Sequence, residues 1–200
     1  AVLSLQYPIV ELLTGLAYAG AAAYLAPSLA YDLNSLGTLA ASFLGIAAAI
    51  VIAVSDIRFF IIPDGAVLTL ALVGAYASVL RWLDMRALGF AFSETAGTDA
   101  VAALAFFLFF AALWFFSKGR WMGFGDAKLS FATSLLVGYP ASIPAFLFSF
   151  WLGGLVGAAA LAVNSKNRKR LIPFGPFILA GAIAAFFFSN AFFRIVSLPV

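Results

Sequence analysis

What most narrows the fold of this chain is a set of seven apolar segments, at residues 9–25, 36–54, 66–83, 101–116, 127–137, 143–163 and 174–196. Several reach the roughly 20 residues that a helix needs to cross a hydrocarbon core about 30 Å thick. In lipid, backbone N–H and C=O groups must be satisfied internally, so such runs read as helices. Composition agrees: 10% of the 200 residues are charged, against about 25% in an ordinary soluble domain. The expected fold is all-α, a polytopic membrane bundle of about seven transmembrane helices, with residues 1–200 forming one membrane-embedded domain. The fifth segment is short and polar at its start, so it is either a tilted span or a helix that begins inside the protein. Pro8, Pro63, Pro140 and Pro173 punctuate the starts or joints of the segments. There is no internal repeat, low-complexity tract or second soluble domain. The chain opens on Ala1 without a signal-peptide pattern, and a further piece upstream is expected.

The chain contains no cysteine and no histidine. Disulfides, thiolate nucleophiles, His-based triads and the usual zinc sites are thereby excluded within these residues. Any chemistry has to come from carboxylates, hydroxyls, lysine or arginine. The net charge of +3 points to cytoplasmic loops rather than to nucleic acid. With alternate loops placed on one side, Arg58, Lys118, Arg120, Lys128, Lys166, Arg168, Lys169 and Arg170 fall together, and only Arg81, Arg86 and Arg194 fall opposite. The first side is therefore expected to be cytoplasmic. The run KNRKR (166–170) sets topology and could also touch anionic lipid headgroups.

Most of the eight acidic residues have plain readings. Asp32, Asp84, Glu94 and Asp99 are expected in short far-side loops, in reach of water. Glu11 opens the first span, where a carboxylate suits a helix N-terminus. Asp64, in IIPDG, either caps the next helix or contacts substrate. Asp56 and Asp126 differ, because each is joined to apolar helix: Asp56 ends GIAAAIVIAVSD and Asp126 precedes AKLSFATSLLVG. Ionisable groups in that setting tend to face a polar cavity and to serve function. Position alone leaves a second reading open, in which each is a helix-end residue paired with Arg58 or Lys128. Taken together, two adjacent carboxylates cannot both ionise easily and share one proton. Such a pair can activate water and protonate a leaving amine without His, Cys or metal. Gly123 and Gly125, just before Asp126, would let a substrate backbone approach closely and would allow positive φ.

Four stretches carry a resemblance in a fixed order: QYPIVELLTG (6–15), DIRFFIIPD (56–64), GFGDAKL (123–129) and IPFGPFILAG (172–181). Together they resemble the type IV prepilin peptidases of bacteria, the G-x-G-D aspartyl proteases of the membrane. The resemblance implies an aspartyl endopeptidase of the bacterial cytoplasmic (inner) membrane. Its substrates would be prepilins and the pseudopilins of type II secretion, cut at the cytoplasmic face. It implies Asp56 and Asp126 as the catalytic pair, with Gly123, Gly125, Lys128, Pro63 and Asp64 near the substrate. The peptidase step would need no cofactor and no metal. Bifunctional members carry paired C-x-x-C motifs associated with zinc and with N-methylation from S-adenosylmethionine. This chain has no Cys, so those groups would belong to a full-length form only. The expected partners are prepilins, pseudopilins and membrane lipids, and no nucleic acid. Two rivals stand beside this reading. A presenilin-like protease would pair G-x-G-D with Tyr-Asp, and Tyr31-Asp32 is the only such dipeptide. An ion-coupled transporter would use the two aspartates as ligands.

Overall fold

The protein is described by a computed structural model at residues 6–29, 33–87, 96–163 and 172–196. Seven helices follow one another among these residues: α1 (Gln6–Leu29), α2 (Leu33–Phe59), α3 (Asp64–Ala87), α4 (Ala96–Ser117), α5 (Phe124–Val137), α6 (Ser142–Val163) and α7 (Gly175–Val196). No strand occurs among the described residues. Among the described residues, four stretches can cross a membrane by length and composition, Leu36–Phe59, Asp64–Asp84, Ala96–Ser117 and Ser142–Ala160, and Gly175–Ser189 is a shorter apolar helix. Their outward faces carry large apolar side chains, among them Leu44, Val51, Leu68, Leu104, Leu108 and Phe187. Water would penalise such a surface and lipid would not.

The fifth segment settles the question its sequence raised. At 14 residues, α5 is about 21 Å long, too short for a core of about 30 Å. It lies inside the bundle, against α3, α4, α6 and α7. Leu129 and Ala132 of α5 share one core with Ala48 and Ile52 of α2, Val67 and Leu70 of α3, and Ile178 and Leu179 of α7. On its other side Ala127 meets Phe110 of α4 and Phe146 of α6. Such a helix can be central only if its neighbours come close. At Gly74 of α3 an added Cβ would stand 2.8 Å from the Leu136 nitrogen and 3.0 Å from the Ala132 carbonyl oxygen.

The turns bring one set of helix ends together. α2 stops where Phe60 takes a left-handed φ of 54° and its N–H donates to the Asp56 carbonyl at 3.0 Å. That is the usual way to close a helix C-terminus, though glycine is the commoner residue there. Pro63 then starts α3, its carbonyl accepting Val67 N–H. Phe174 carbonyl accepts the N–H of Phe177 and Ile178 and so opens α7, while the Phe174 ring packs on Phe110 and Phe150.

Two loop expectations need correction. Asp99 is not in a watery loop: it lies in the first turn of α4 and is 3% exposed, because Arg81, Ser78 and the Tyr139 N–H occupy its carboxylate. Asp84 likewise belongs to α3 rather than to a loop, since α3 runs on past the end of the apolar segment. Asp32 and Glu94 lie outside the described residues.

Candidate active site

Asp56 comes four residues before the left-handed turn that ends α2, and Asp126 lies in the first turn of α5. They are 5% and 7% exposed. Each carboxylate is held by one backbone N–H, and in each case Oδ2 is the acceptor. Gly175 N–H donates to Asp56 at 2.8 Å. Gly123 N–H donates to Asp126 at 3.0 Å, which is the return half of a helix capping box. Ile62 lies beside both Gly125 and Gly175. A Cβ on Gly125 would stand 3.0 Å from Ile62 Cβ, and one on Gly175 would stand 3.4 Å from Ile62 Cδ1. The sequence thus brings three distant pieces to one end of the bundle: the α2–α3 link, the start of α5 and the start of α7.

Burial first, and the nearby charge of Asp56 second, push the Asp126 carboxyl up to about 7, against the lowering effect of the Gly123 N–H. Two carboxyl groups in that condition hold one proton between them near neutral pH. A pair of this kind can remove a proton from water and deliver one to a leaving group.

The other residues expected near the substrate divide. Lys128 does not pair with Asp126. It forms an ion pair with Asp64, whose side chain is 77% exposed, and stands 5.6 Å from the Phe124 ring centre. Asp64 and Pro63 are thus linked to α5 at the rim of the carboxylate pair. Gly123 is exposed and takes φ −79°, ψ 152°, so positive φ is not what its glycine supplies. Gly125 is not in a loop but in the first turn of α5, and Ile62 fills the space a Cβ would need. Tyr31-Asp32 lies outside the described residues.

Gly175 does not stand out as a site residue in the sequence. A Cβ there would stand 2.8 Å from Asp56 Oδ2, so only glycine lets this backbone reach the carboxylate. A signal is present in IPFGPF, where glycine between aromatic and proline residues marks a close approach. Nothing local, though, ties it to an aspartate 119 residues away. No group of three or more His, Cys, Asp or Glu among the described residues could hold a metal ion. A zinc site does not fit the described residues.

Fold and site define a helical membrane protein with a buried carboxylate pair at one end of its bundle. The chain belongs to the type IV leader peptidase family, a family of peptidases, whose model matches residues 43–158. It is 31% identical over 189 residues to the prepilin leader peptidase/N-methyltransferase of Bacillus subtilis (strain 168), covering 94% of this chain and 68% of that protein. To the protein of the same name in Burkholderia pseudomallei (strain 1026b) it is 31% identical over 195 residues, covering 96% of this chain and 57% of the relative. In Legionella pneumophila the corresponding figures are 28% over 191 residues, 94% and 61%. The chain thus spans about six-tenths to two-thirds of the length of these relatives. No solved structure matches it.

Proposed function

We propose that the chain is the peptidase part of an aspartyl endopeptidase that removes the leader from type IV prepilins, with Asp56 and Asp126 as its catalytic carboxylates. One observation carries the reading. In a chain whose relatives are named prepilin leader peptidase/N-methyltransferase, these two acids are buried side chains at adjoining helix ends, each oriented by a backbone N–H. The pair starts with one proton. The ionised carboxylate takes a proton from water as the water oxygen bonds to the scissile carbonyl carbon. The protonated carboxyl gives its proton to the carbonyl oxygen, so a gem-diol forms. The C–N bond then breaks as the proton taken from water passes to nitrogen. A hydroxyl proton of the gem-diol returns to the pair, which ends with the single proton it began with. No cofactor enters these steps. S-adenosylmethionine and zinc would concern only a longer, bifunctional form.

The rim residues Pro63, Asp64, Gly123 and Lys128 would meet the substrate chain, with Gly123 giving its backbone room. Gly125 would act indirectly, through its packing on Ile62. Arg58, Lys118, Arg120 and Lys128 belong to the same helix ends and links as the pair. By the positive-inside rule this end would face the cytoplasm of a bacterial inner membrane, with lipid around the outward apolar faces. Type II secretion pseudopilins would be a second substrate group, and nucleic acid would have no part. The test is gel-shift processing of a prepilin in membranes. Asp56→Asn and Asp126→Asn should each abolish cleavage while the protein still accumulates and unfolds cooperatively. Near-normal processing by either variant would remove that residue from the pair.

A further inference from the structure

At the opposite end of α5 from Asp126 stands a second charged cluster. Asp99 Oδ2 accepts Ser78 Oγ at 2.7 Å, Arg81 Nε at 3.1 Å and Arg81 Nη2 at 2.9 Å, and Oδ1 accepts Tyr139 N–H at 2.6 Å. The same guanidinium donates to the carbonyls of Leu135, at 2.6 Å, and Leu136, at 3.0 Å. These are two of the last carbonyls of α5, which have no partner within the helix. A cation there also suits the negative end of the helix dipole. Gly74, Ser78 and Arg81 recur at helical spacing, so one face of α3 both admits α5 and grips its end. Gly138 makes room for the grip: its φ is 78°, and a Cβ would lie 2.8 Å from the Arg81 guanidinium.

We infer that Arg81 and Asp99 are positioning residues for the peptidase reaction, holding the C-terminal end of α5 so that Asp126 stands at the right depth opposite Asp56. This rests on the proposed function. The middle of α5 is held by packing, through Leu129 in the core shared with α2, α3 and α7. The rest of its buried middle is small residues, Ala127, Ser130, Ala132, Thr133 and Ser134, which leave the axial register to the helix ends. The Ser130 and Thr133 hydroxyls bond back to carbonyls of α5 itself. At the other end the Lys128–Asp64 pair is partly solvated, and exposed pairs hold weakly. From Leu135 to Asp126 is about 14 Å of regular helix, a rigid rod that passes a shift at one end to the other.

The experiment uses the chain's freedom from cysteine. The Ile62→Cys/Gly125→Cys pair places two Cβ atoms near 3.0 Å, close to the roughly 3.5–4.5 Å of a disulfide. Its oxidation rate in membranes therefore reports the register of α5 without reference to cleavage. Arg81→Met and Asp99→Asn should slow this cross-link several-fold. In the chain without the reporter cysteines they should cut kcat on a prepilin by about 10–100-fold, with KM little changed. Arg81→Lys should recover part of both, since lysine can pair with Asp99 but cannot fork to the carbonyls as well. If Arg81→Met fails to accumulate, Arg81→Lys and Asp99→Asn carry the comparison. An unchanged cross-link rate in variants with reduced kcat, or unchanged kcat in all of them, overturns the inference. A parent chain that cleaves no prepilin, but whose cross-link still depends on Arg81, sinks the peptidase reading and leaves the grip on α5 standing.

Discussion

Asp126 ties its titration to stability and to turnover. Its carboxyl is raised to about 7, mainly by burial, so the folded chain binds more protons than the unfolded chain from the ordinary carboxylate range up to that pH. The stability it contributes is complete below the ordinary range and is lost as pH rises through about 7. Thermal unfolding between pH 5 and pH 8 should therefore show the parent losing ground to Asp126→Asn as pH increases. Prepilin processing should fall along an alkaline limb centred near 7, as the shared proton is lost. A flat difference between parent and variant would contradict the shift. Gly175 gives a second test. Gly175→Ala should displace the Asp56 carboxylate and reduce kcat by about 100-fold, the scale of a 1 Å misplacement. In an Asp56→Ala background the same change should cost much less stability than it does alone, because the crowding partner is gone. Additive losses would place the strain elsewhere. Asp56 and Asp126 are legible in the sequence because charge next to apolar helix is conspicuous. Gly175 is not, because its role depends on a contact across most of the chain.

At the level of the helix, α5 changes what the glycine motif means. By sequence alone Gly123 and Gly125 share one loop and one purpose; the first turn of α5 separates them. Gly125→Val would press on Ile62, so activity and thermal midpoint should fall together. Gly123→Ser adds a Cβ at an exposed cap position where serine is well accepted. Its stability should stay within about 0.5 kcal/mol of the parent, while prepilin processing falls about tenfold if substrate passes there. Measuring both quantities for both variants separates packing from clearance. A Gly123→Ser enzyme with parental rate would end the clearance reading. The shortness of α5 is visible in the apolar pattern, and its interior position is one of the two readings that pattern allows. The grip at its far end is hidden, because Asp99 precedes an apolar run and looks like a loop charge until α4 is extended through it, and nothing local ties it to Arg81.

Among the described residues, large apolar side chains point outward and the buried carboxylates lie at the two ends of one short helix. The seven apolar segments are enough to find the helices, because each is an apolar run bounded by polar, glycine or proline residues. They cannot reveal which helices touch, since the spans are apolar on most sides. That information lies in small residues such as Gly181. A Cβ there would collide with Ser149 Oγ and the Ala145 carbonyl of α6. Gly181→Val should separate α7 from α6 and lower stability by about 1–3 kcal/mol, read as the unfolding midpoint in detergent. A midpoint equal to the parent's would mean that α6 and α7 do not approach this closely.

The bond from Gly175 to Asp56 also has a consequence for how the protein is made. A ribosome delivers Asp56 and Asp126 well before it reaches residue 175, and until then Asp56 has no N–H from α7 to orient it. The site is therefore completed only when α7 is threaded into place. A chain that stops short of α7 carries both acids but not the bond that orients the first of them, so the order of synthesis itself delays the appearance of a finished site until α7 has joined the bundle.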